Sequence, residues 1–362
     1  MSPEPTIRPL ARVLIVDDSA FMRTALSRMI ASEADFEIVG TACSGAEALD
    51  RIAALDPDVV TLDVEMPGLD GLETLHRIMT LFPRPVIMVS SVTEKNAVAT
   101  FNALSAGAFD YIPKQLSSAS LDILHIRQDL VDKVRAAALS RRPGSTGNLP
   151  RKPPQPSPAG SRNTDTTIPA IVAVGSSTGG PKALQEILPL LPGDLSVPVV
   201  IVQHMPPGFT APFAQRLNNL CSVAVREAAH RDPLEPGVVY IAPAGRHITV
   251  DRSSDSRAFL CLDTHPENSL HMPSVDIMMK SVADVYRNHA MGVILTGMGS
   301  DGSEGMMAIH RQGGLTIGQD EASCTVYGMP RACAELGALT RVVPLLQVPA
   351  QIVQATRARR RA

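Results

Sequence analysis

Aromatic residues are scarce in this sequence of 362 residues, which has no tryptophan and only 3% aromatic residues in all. Proteins that bind single-stranded nucleic acid by stacking bases need aromatic platforms, so this class is disfavoured. The formal net charge of -3 gives no general electrostatic attraction for nucleic acid either. We therefore expect no nucleic-acid partner.

Cysteine pairs and long apolar runs are also missing. The five cysteines are odd in number and none has CxxC spacing, which argues against a disulfide framework and a zinc site. No apolar run approaches the roughly 18 residues of a membrane-spanning helix, and the start, MSPEPTIRPLARV, lacks the apolar core of a signal peptide. We expect a cytoplasmic protein without membrane insertion.

One segment differs in composition from the rest. Residues 140–167, SRRPGSTGNLPRKPPQPSPAGSRNTDTT, are rich in Pro, Gly, Ser and Thr, and Leu149 is their only large apolar residue. Such a segment buries too little apolar surface to offset the entropy lost on ordering. We predict that 140–167 is a linker between domains over 10–139 and 168–355. A long surface loop inside one domain is the alternative.

Short apolar runs alternate with helix-length stretches in the N-terminal domain. Ser19 is a suitable N-terminal helix cap, and the apolar residues after it have helical spacing. One helix face would carry Met22, Leu26, Met29 and Ile30. Five strands alternating with five helices predict an α/β fold, a parallel sheet covered on both faces. The predicted strands are RVLIVDD, FEIVGTA, DVVTLDVE, RPVIMVSS and FDYIPK.

The C-terminal domain shows two kinds of apolar run. AIVAVGSS, SVPVVIVQHM and AMGVILTGMGSDG are nearly continuous and predict buried parallel strands. VAVREA, GVVYIAP, RHITVDR and AFLCLDT are shorter and more polar, and we expect half-exposed antiparallel strands there. The prediction is a doubly wound, mainly parallel α/β domain with a smaller antiparallel part.

Polar residues stand at the strand ends of the N-terminal domain. Asp17 and Asp18 follow the first predicted strand and Asp63 ends the third, so the three carboxylates should converge. Converging carboxylates repel unless a cation is present, and oxygen ligands suit Mg²⁺. Ser90 and Lys114 end the fourth and fifth strands. Together these groups can accept a phosphoryl group and neutralise its oxygens.

Residues 12–139 resemble the receiver domain of two-component response regulators, through VDDS, LDVEMPGLDG, VSS and PK. The resemblance implies the flavodoxin-like (βα)5 fold and a phosphoryl group donated by a histidine kinase. It also implies that Asp63 is phosphorylated, that Asp17, Asp18 and Asp63 bind Mg²⁺, and that Ser90 and Lys114 contact the phosphate.

The glycine-rich stretch GSSTGGP begins at Gly175. It lacks the GxGxxG spacing of a dinucleotide loop and the GK[ST] ending of a Walker A loop. Gly175, Ser177 and Gly179 do match GxSxG, a sharp turn that exposes a serine hydroxyl beside backbone N–H groups. A phosphate-binding loop and a simple bend remain alternatives, because GxSxG occurs by chance in glycine-rich turns.

A nucleophilic serine needs a histidine and an orienting acid. His204 follows the next buried strand and Asp301 the third, so both should lie at the same sheet edge as Ser177. This order, Ser, His, Asp, differs from that of the α/β-hydrolases. Asp232, Asp276 and Asp320 are rival acids, and we interpret His230, His247, His265 and His271 as surface or loop residues.

With these residues in view, positions 168–355 resemble the catalytic domain of the chemotaxis receptor methylesterases, the CheB family. The motifs are GSSTGGP, VIVQHMPPGFT, YIAPAGRH, HMPSVD, ILTGMGSDG and GMPRACAELGA. The resemblance implies hydrolysis of glutamate methyl esters, and deamidation of particular glutamines, on methyl-accepting chemoreceptors. Ser177 would be the nucleophile, His204 the base and Asp301 its partner, with N–H groups near Thr178 and Met298 as oxyanion candidates.

The same resemblance implies that a chemotaxis histidine kinase is the phosphodonor and that phosphorylation activates the hydrolase, which needs no cofactor of its own. A phosphorylation-dependent binding protein without turnover is the alternative function. Three positions depart from the family patterns: Pro113 precedes Lys114, whereas receivers usually have a proline after this lysine; Ser176 replaces a common alanine; and Ser300 replaces a common asparagine. We expect the last two to alter fine geometry without loss of chemistry.

Overall fold

The computed structural model describes residues 11–91, 93–114, 120–141, 167–254, 257–267 and 269–357. They form two compact units, one on either side of position 150. Most of the predicted linker, 142–166, lies outside the described residues. No helix among the described residues is long and apolar enough to span a membrane.

The first unit alternates strands and helices along the chain. The strands described there all pair in parallel, in the order β2-β1-β3-β4-β5. This is the flavodoxin-like order, and the predicted (βα)5 fold is confirmed. The elements are β1 (Ala11–Val16), α1 (Ala20–Ala31), β2 (Phe36–Ala42), α2 (Gly45–Leu55), β3 (Val59–Asp63), α3 (Gly71–Leu81), β4 (Val86–Ser90), α4 (Glu94–Ser105), β5 (Asp110–Pro113) and α5 (Ser120–Arg141).

Helix α1 forms where its capping signal and apolar spacing predict it. The Ser19 hydroxyl accepts a hydrogen bond from Met22 N, which satisfies one of the free N–H groups at the helix start. Leu26 and Ile30 are buried in the core cluster that contains β1 residues such as Val13. This packing fixes the loop of Asp17 and Asp18 at the end of β1.

The second unit contains a seven-stranded sheet in the order β14-β13-β12-β6-β7-β9-β8 and a two-stranded sheet, β10-β11. The central strands β12, β6 and β7 are neighbours, so residues that follow them meet at one edge. The elements are β6 (Ile171–Ser176), α6 (Gly180–Ile187), β7 (Val199–Gln203), α7 (Thr210–Leu220), β8 (Ala224–Glu227), β9 (Val238–Ile241), β10 (His247–Arg252), β11 (Ala258–Asp263), α8 (Val275–Tyr286), β12 (Ala290–Ile294), α9 (Ser303–Arg311), β13 (Leu315–Gln319), α10 (Met329–Glu335), β14 (Arg341–Val343) and α11 (Val348–Thr356).

The mainly parallel sheet with a small antiparallel part is confirmed, but the antiparallel part is smaller than expected. Among the strands that the structure describes, β10 and β11 are the pair that runs antiparallel. Strands β8 and β9, from the runs VAVREA and GVVYIAP, pair parallel with each other, and β9 pairs parallel with β7. The expectation for these two strands was wrong, because the alternating burial of β8 reflects its place at the sheet edge rather than its direction.

Candidate functional site

Ser177 lies in the tight turn between β6 and α6. Its amide donates to Thr296 O at 3.1 Å, and its hydroxyl makes no hydrogen bond to any described residue. Gly179 has φ +76°, and a Cβ there would lie 2.4 Å from Thr325 Cβ; both facts require glycine. The turn therefore presents the Ser177 hydroxyl at the carboxyl edge of the sheet.

His204 follows β7, the strand next to β6, and its side chain is paired with Asp301. The His204 Nε2 atom lies 2.8 Å from Asp301 Oδ2. The other ring nitrogen, Nδ1, is buried and has no hydrogen-bond partner among the described residues. Because Ser176 is in register with Gln203, Ser177 and His204 are adjacent across the strand ends. Nδ1 is thus the nitrogen left to act on a nearby serine.

Asp301 is held at the N-terminus of α8. Its Oδ1 accepts from Ser274 Oγ and Asp276 N, each at 2.9 Å, and its Oδ2 accepts from Val275 N at 2.8 Å. Burial opposes the charged carboxylate, but the His204 hydrogen bond and these amides hold the pKa of Asp301 well below its ordinary value. The helix N-terminus adds favourable positive potential. Asp301 is therefore a charged carboxylate at neutral pH, in contact with the His204 ring.

The rival acids have other contacts. Asp276 Oδ1 accepts from Gly305 N at 2.7 Å. Asp320 caps a short 3-10 turn through Ser323 N, and Asp232 accepts from Ala229 N at 2.8 Å. Asp301 is the acid that contacts the His204 ring, and its partners at α8 were not anticipated from the sequence.

Two histidines interpreted as surface or loop residues lie in the site region. The interpretation was wrong for His247, which is buried at the start of β10, whereas His271 does lie in a loop but contacts His204. The His271 ring stacks on the His204 ring with centroids 4.0 Å apart and an interplanar angle of 18°. Burial and the neighbouring His204 lower the pKa of His271 to about 4. His247 is 1% exposed, and its Nδ1 accepts from Ser274 N at 3.2 Å. The motif HMPSVD, which leads into α8, was the available signal for His271.

The two oxyanion candidates have free amides. Among the described residues, neither Thr178 N nor Met298 N has a hydrogen-bond acceptor. Met298 follows Gly297, where a Cβ would approach Ser177 Cβ to 3.0 Å, so the two loops are in close contact. Both amides therefore remain available beside the Ser177 turn. Ser300, the position where we noted serine in place of a common asparagine, is exposed in the same loop as Met298.

In the first unit, the acidic residues meet as expected. One oxygen from each of Asp17, Asp18 and Asp63 lies within 4.8 Å of the others, an all-oxygen set that suits Mg²⁺. Lys114 Nζ lies 3.0 Å from Asp17 Oδ2 and 2.6 Å from Asp63 Oδ2. Burial, together with the charge of Asp17, raises the pKa of Asp63 to about 6 despite the Lys114 contact. A bound cation would relieve this repulsion.

Ser90 is fully buried at the end of β4, and its hydroxyl accepts from Thr100 Oγ1 at 2.9 Å. Lys114 N donates to Ser90 O at 2.7 Å, which extends the β4–β5 pairing past Pro113. The lysine thus reaches both carboxylates in a loop where the usual proline is absent. Thr100 is a further contact of Ser90 that no sequence pattern indicates.

Comparison with known proteins identifies the family of each unit. The family model described as CheB methylesterase matches residues 172–352, and the response regulator receiver domain model matches residues 13–124. A protein-glutamate methylesterase/protein-glutamine glutaminase of Bacillus subtilis is 44% identical over 357 residues, covering 97% of this chain and all of that one. The chain belongs to the CheB methylesterase family.

Other relatives agree. A protein of Oleidesulfovibrio alaskensis, named protein-glutamate methylesterase/protein-glutamine glutaminase 1, is 44% identical, and the match covers 96% of this chain and 99% of that protein. Among solved structures, the Thermotoga maritima CheB methylesterase catalytic domain has a TM-score of 0.50 and 38% identity, covering 51% of this chain and 98% of that one. The chain is therefore a phosphorylation-regulated CheB-type hydrolase, and no relative supports the alternative of binding without turnover.

Proposed function

We propose that Ser177, His204 and Asp301 hydrolyse glutamate methyl esters on methyl-accepting chemoreceptors, and that they deamidate particular receptor glutamines. The observation that carries the proposal is the His204–Asp301 pair, 2.8 Å apart, at the end of the strand beside Ser177. The domain boundaries that we propose are a receiver over 10–139, a linker over 140–167 and a catalytic domain over 168–355. The reaction takes place in the cytoplasm.

The mechanism follows from the free nitrogen of His204. Nδ1 removes the proton of Ser177 Oγ as this oxygen attacks the ester or amide carbonyl, and Asp301 stabilises the imidazolium at Nε2. The amides of Thr178 and Met298 stabilise the tetrahedral oxyanion, a contribution of about 3 kcal/mol for one such donor. His204 then gives its proton to the leaving methanol or ammonia, and water hydrolyses the acyl enzyme. This chemistry uses no metal or cofactor.

The receiver site would take its phosphoryl group from a chemotaxis histidine kinase. Asp63 attacks the phosphorus with its carboxylate, and Asp17, Asp18 and Asp63 would hold the Mg²⁺ that neutralises the phosphoryl oxygens when bound. Lys114, now between two carboxylates, is placed to pair with a phosphoryl oxygen, and the Ser90 hydroxyl contacts another. These roles rest on the convergence of the five side chains at one sheet edge.

Methanol release from methylated receptor membranes tests the catalytic assignment. Ser177→Ala removes the nucleophile, and removal of a triad member typically lowers kcat by about 10⁴-fold or more, so release should fall to background. The exposed Ser222→Ala is the control and should retain full activity, because Ser222 lies in the turn after α7. Release by Ser177→Ala at the rate of the unmodified chain would show that another group carries the reaction.

A further inference from the structure

Gln203, the last residue of β7, is buried between the two catalytic turns. It is 1% exposed and Ser176, its partner in strand register, is fully buried. Gln203 Nε2 donates to Ser177 O and to His204 O, each at 2.9 Å. A single carboxamide thus bonds to the main chain of both the candidate nucleophile and the candidate base.

The orientation of this carboxamide is determined by its partners. Both main-chain oxygens can only accept hydrogen bonds, so the NH₂ group must face them and Oε1 must face the other way. Ser176 Oγ lies 2.7 Å from that oxygen and donates to it. Every polar group of the carboxamide therefore has a partner in a place with almost no access to water, where an unmade bond is costly.

Gly180 provides the space for this arrangement. A Cβ on Gly180 would lie 2.0 Å from Gln203 Oε1 and 2.8 Å from Ser176 Cβ, so any side chain there would displace the carboxamide. Gly180 N also donates to Ser177 O at 2.8 Å. The third glycine of GSSTGGP, Gly180, is thus explained by the Gln203 contact, and the second, Gly179, by Thr325.

We propose that Gln203 is a positioning residue that fixes the spacing between Ser177 and His204, and that Ser176 holds its carboxamide in place. The inference rests on the proposed function, since it gives the spacing of these two residues a catalytic meaning. In this role neither side chain contacts the substrate: Gln203 acts through the main chain of Ser177 and His204, and the Ser176 hydroxyl acts through Gln203.

Four variants of the full chain test the proposal: Gln203→Leu, Gln203→Glu, Ser176→Ala and the Leu/Ala double variant. Misplacing reacting groups by about 1 Å costs on the order of 10²-fold in rate, so Gln203→Leu and Gln203→Glu should lose about that much kcat with KM unchanged. Ser176→Ala should lose about tenfold. The double variant should be no slower than Gln203→Leu, because the hydroxyl has already lost its acceptor.

Labelling of Ser177 by a fluorophosphonate supplies a second readout that needs no receptor, and its rate should fall in parallel with kcat. Thr316→Val is the matched control: Thr316 is fully buried, bonds to Thr340 Oγ1 at 2.9 Å and lies toward the amino end of β13, away from the triad. It should lower the melting temperature while keeping kcat and the labelling rate.

Two results would overturn the proposal. One is a Gln203→Glu enzyme with unchanged kcat and labelling rate; the other is a loss of kcat in the Gln203 variants that disappears once their unfolded fraction is taken into account. If Gln203→Leu fails to fold, the Ser176→Ala comparison decides alone. Loss of methanol release in Ser177→Ala beside normal Gln203 variants would reject only the positioning role, whereas release by Ser177→Ala would reject the proposed function.

Discussion

His271 shows how the surroundings of one residue set its charge. Burial is the main reason that its pKa is about 4, so the ring is uncharged at neutral pH. Its partner His204 must become an imidazolium during the proposed reaction, with ring centroids 4.0 Å apart. Two charged rings at that distance would repel each other. A neutral His271 can cover one face of His204 without this penalty.

The same pKa predicts how stability depends on pH. Between pH 6.5, the ordinary value, and about 4, the unfolded chain binds a proton at His271 and the folded chain does not. The free energy of unfolding should therefore fall as pH falls through this window. In His271→Phe, which keeps a flat ring, the slope should be smaller by about one proton, as measured by urea unfolding of the full chain at several pH values.

The control for this measurement is His310→Gln, because His310 is exposed on α9 and has no contact with His204. It should not reproduce the change in slope. An NMR titration of the full chain that placed the midpoint of His271 at 6.5 or above would contradict the prediction directly.

The contrast between Asp301 and His271 shows which site residues the sequence could predict. Asp301 follows a buried strand, and residues at the ends of neighbouring parallel strands must meet at one edge. His271 does not follow a strand and could be found only through the motif HMPSVD, and Gln203 ends β7 but has a side chain that is not a typical member of a catalytic triad. The position of His271 depends on a loop that runs back across the sheet edge, and the role of Gln203 depends on the direction of one carboxamide inside the core.

At the scale of elements, the start of α8 links helix stability to the site. Ser274 caps the helix by accepting from Ile277 N and also donates to Asp301 Oδ1 at 2.9 Å. One hydroxyl thus serves a structural and a catalytic neighbour.

Ser274→Ala should therefore have two effects. Loss of the cap should lower the free energy of unfolding by about 1 kcal/mol, and loss of a donor to Asp301 should lower kcat by about tenfold. Ser44→Ala is a matched control in the receiver, where Ser44 caps α2 through Glu47 N. Urea unfolding should show a similar loss of stability there, with methanol release unchanged; equal kcat for both variants would mean that Ser274 acts only as a cap.

Strand direction was the part of the fold least accessible from sequence. Near-continuous apolar runs correctly predicted the buried parallel strands β6, β7 and β12. For β8 and β9 we expect half-exposed antiparallel strands from the sequence. In the structure β8 is partly exposed because it is the edge strand of a parallel sheet, whereas β9, next to it, is mostly buried. The polarity of a strand's side chains indicates how many of its faces are buried. An edge strand is less buried whether it runs parallel or antiparallel to its neighbour.

At the scale of the whole molecule, both units use the same rule for different chemistry. Each places its reactive groups at the carboxyl ends of parallel strands, three carboxylates in one unit and the His204–Asp301 pair in the other. The phosphoryl signal and the ester hydrolysis are therefore carried by separate sheets. Regulation has to pass from one sheet to the other.

This arrangement predicts that activation and catalysis can be separated by mutation. Acetyl phosphate with Mg²⁺ should raise methanol release by the unmodified chain, whereas Asp63→Asn should keep the basal rate and show no rise, because the attacking carboxylate is lost. The control is Glu73→Gln, which removes an exposed ion pair to Arg77 on α3 and should leave the rise intact. An equal rise in Asp63→Asn would show that activation does not require this carboxylate.

The turn before β13 has a practical consequence. Arg311, Gln312 and Gly313 are exposed, and Gly313 has φ +81°. The turn precedes the amino end of its strand, whereas Ser177, His204 and Asp301 all follow the carboxyl ends of theirs. A short affinity tag or a fluorescent label inserted between Gln312 and Gly313 would therefore mark the hydrolase unit in living cells while leaving clear the sheet edge at which we propose that the receptor binds.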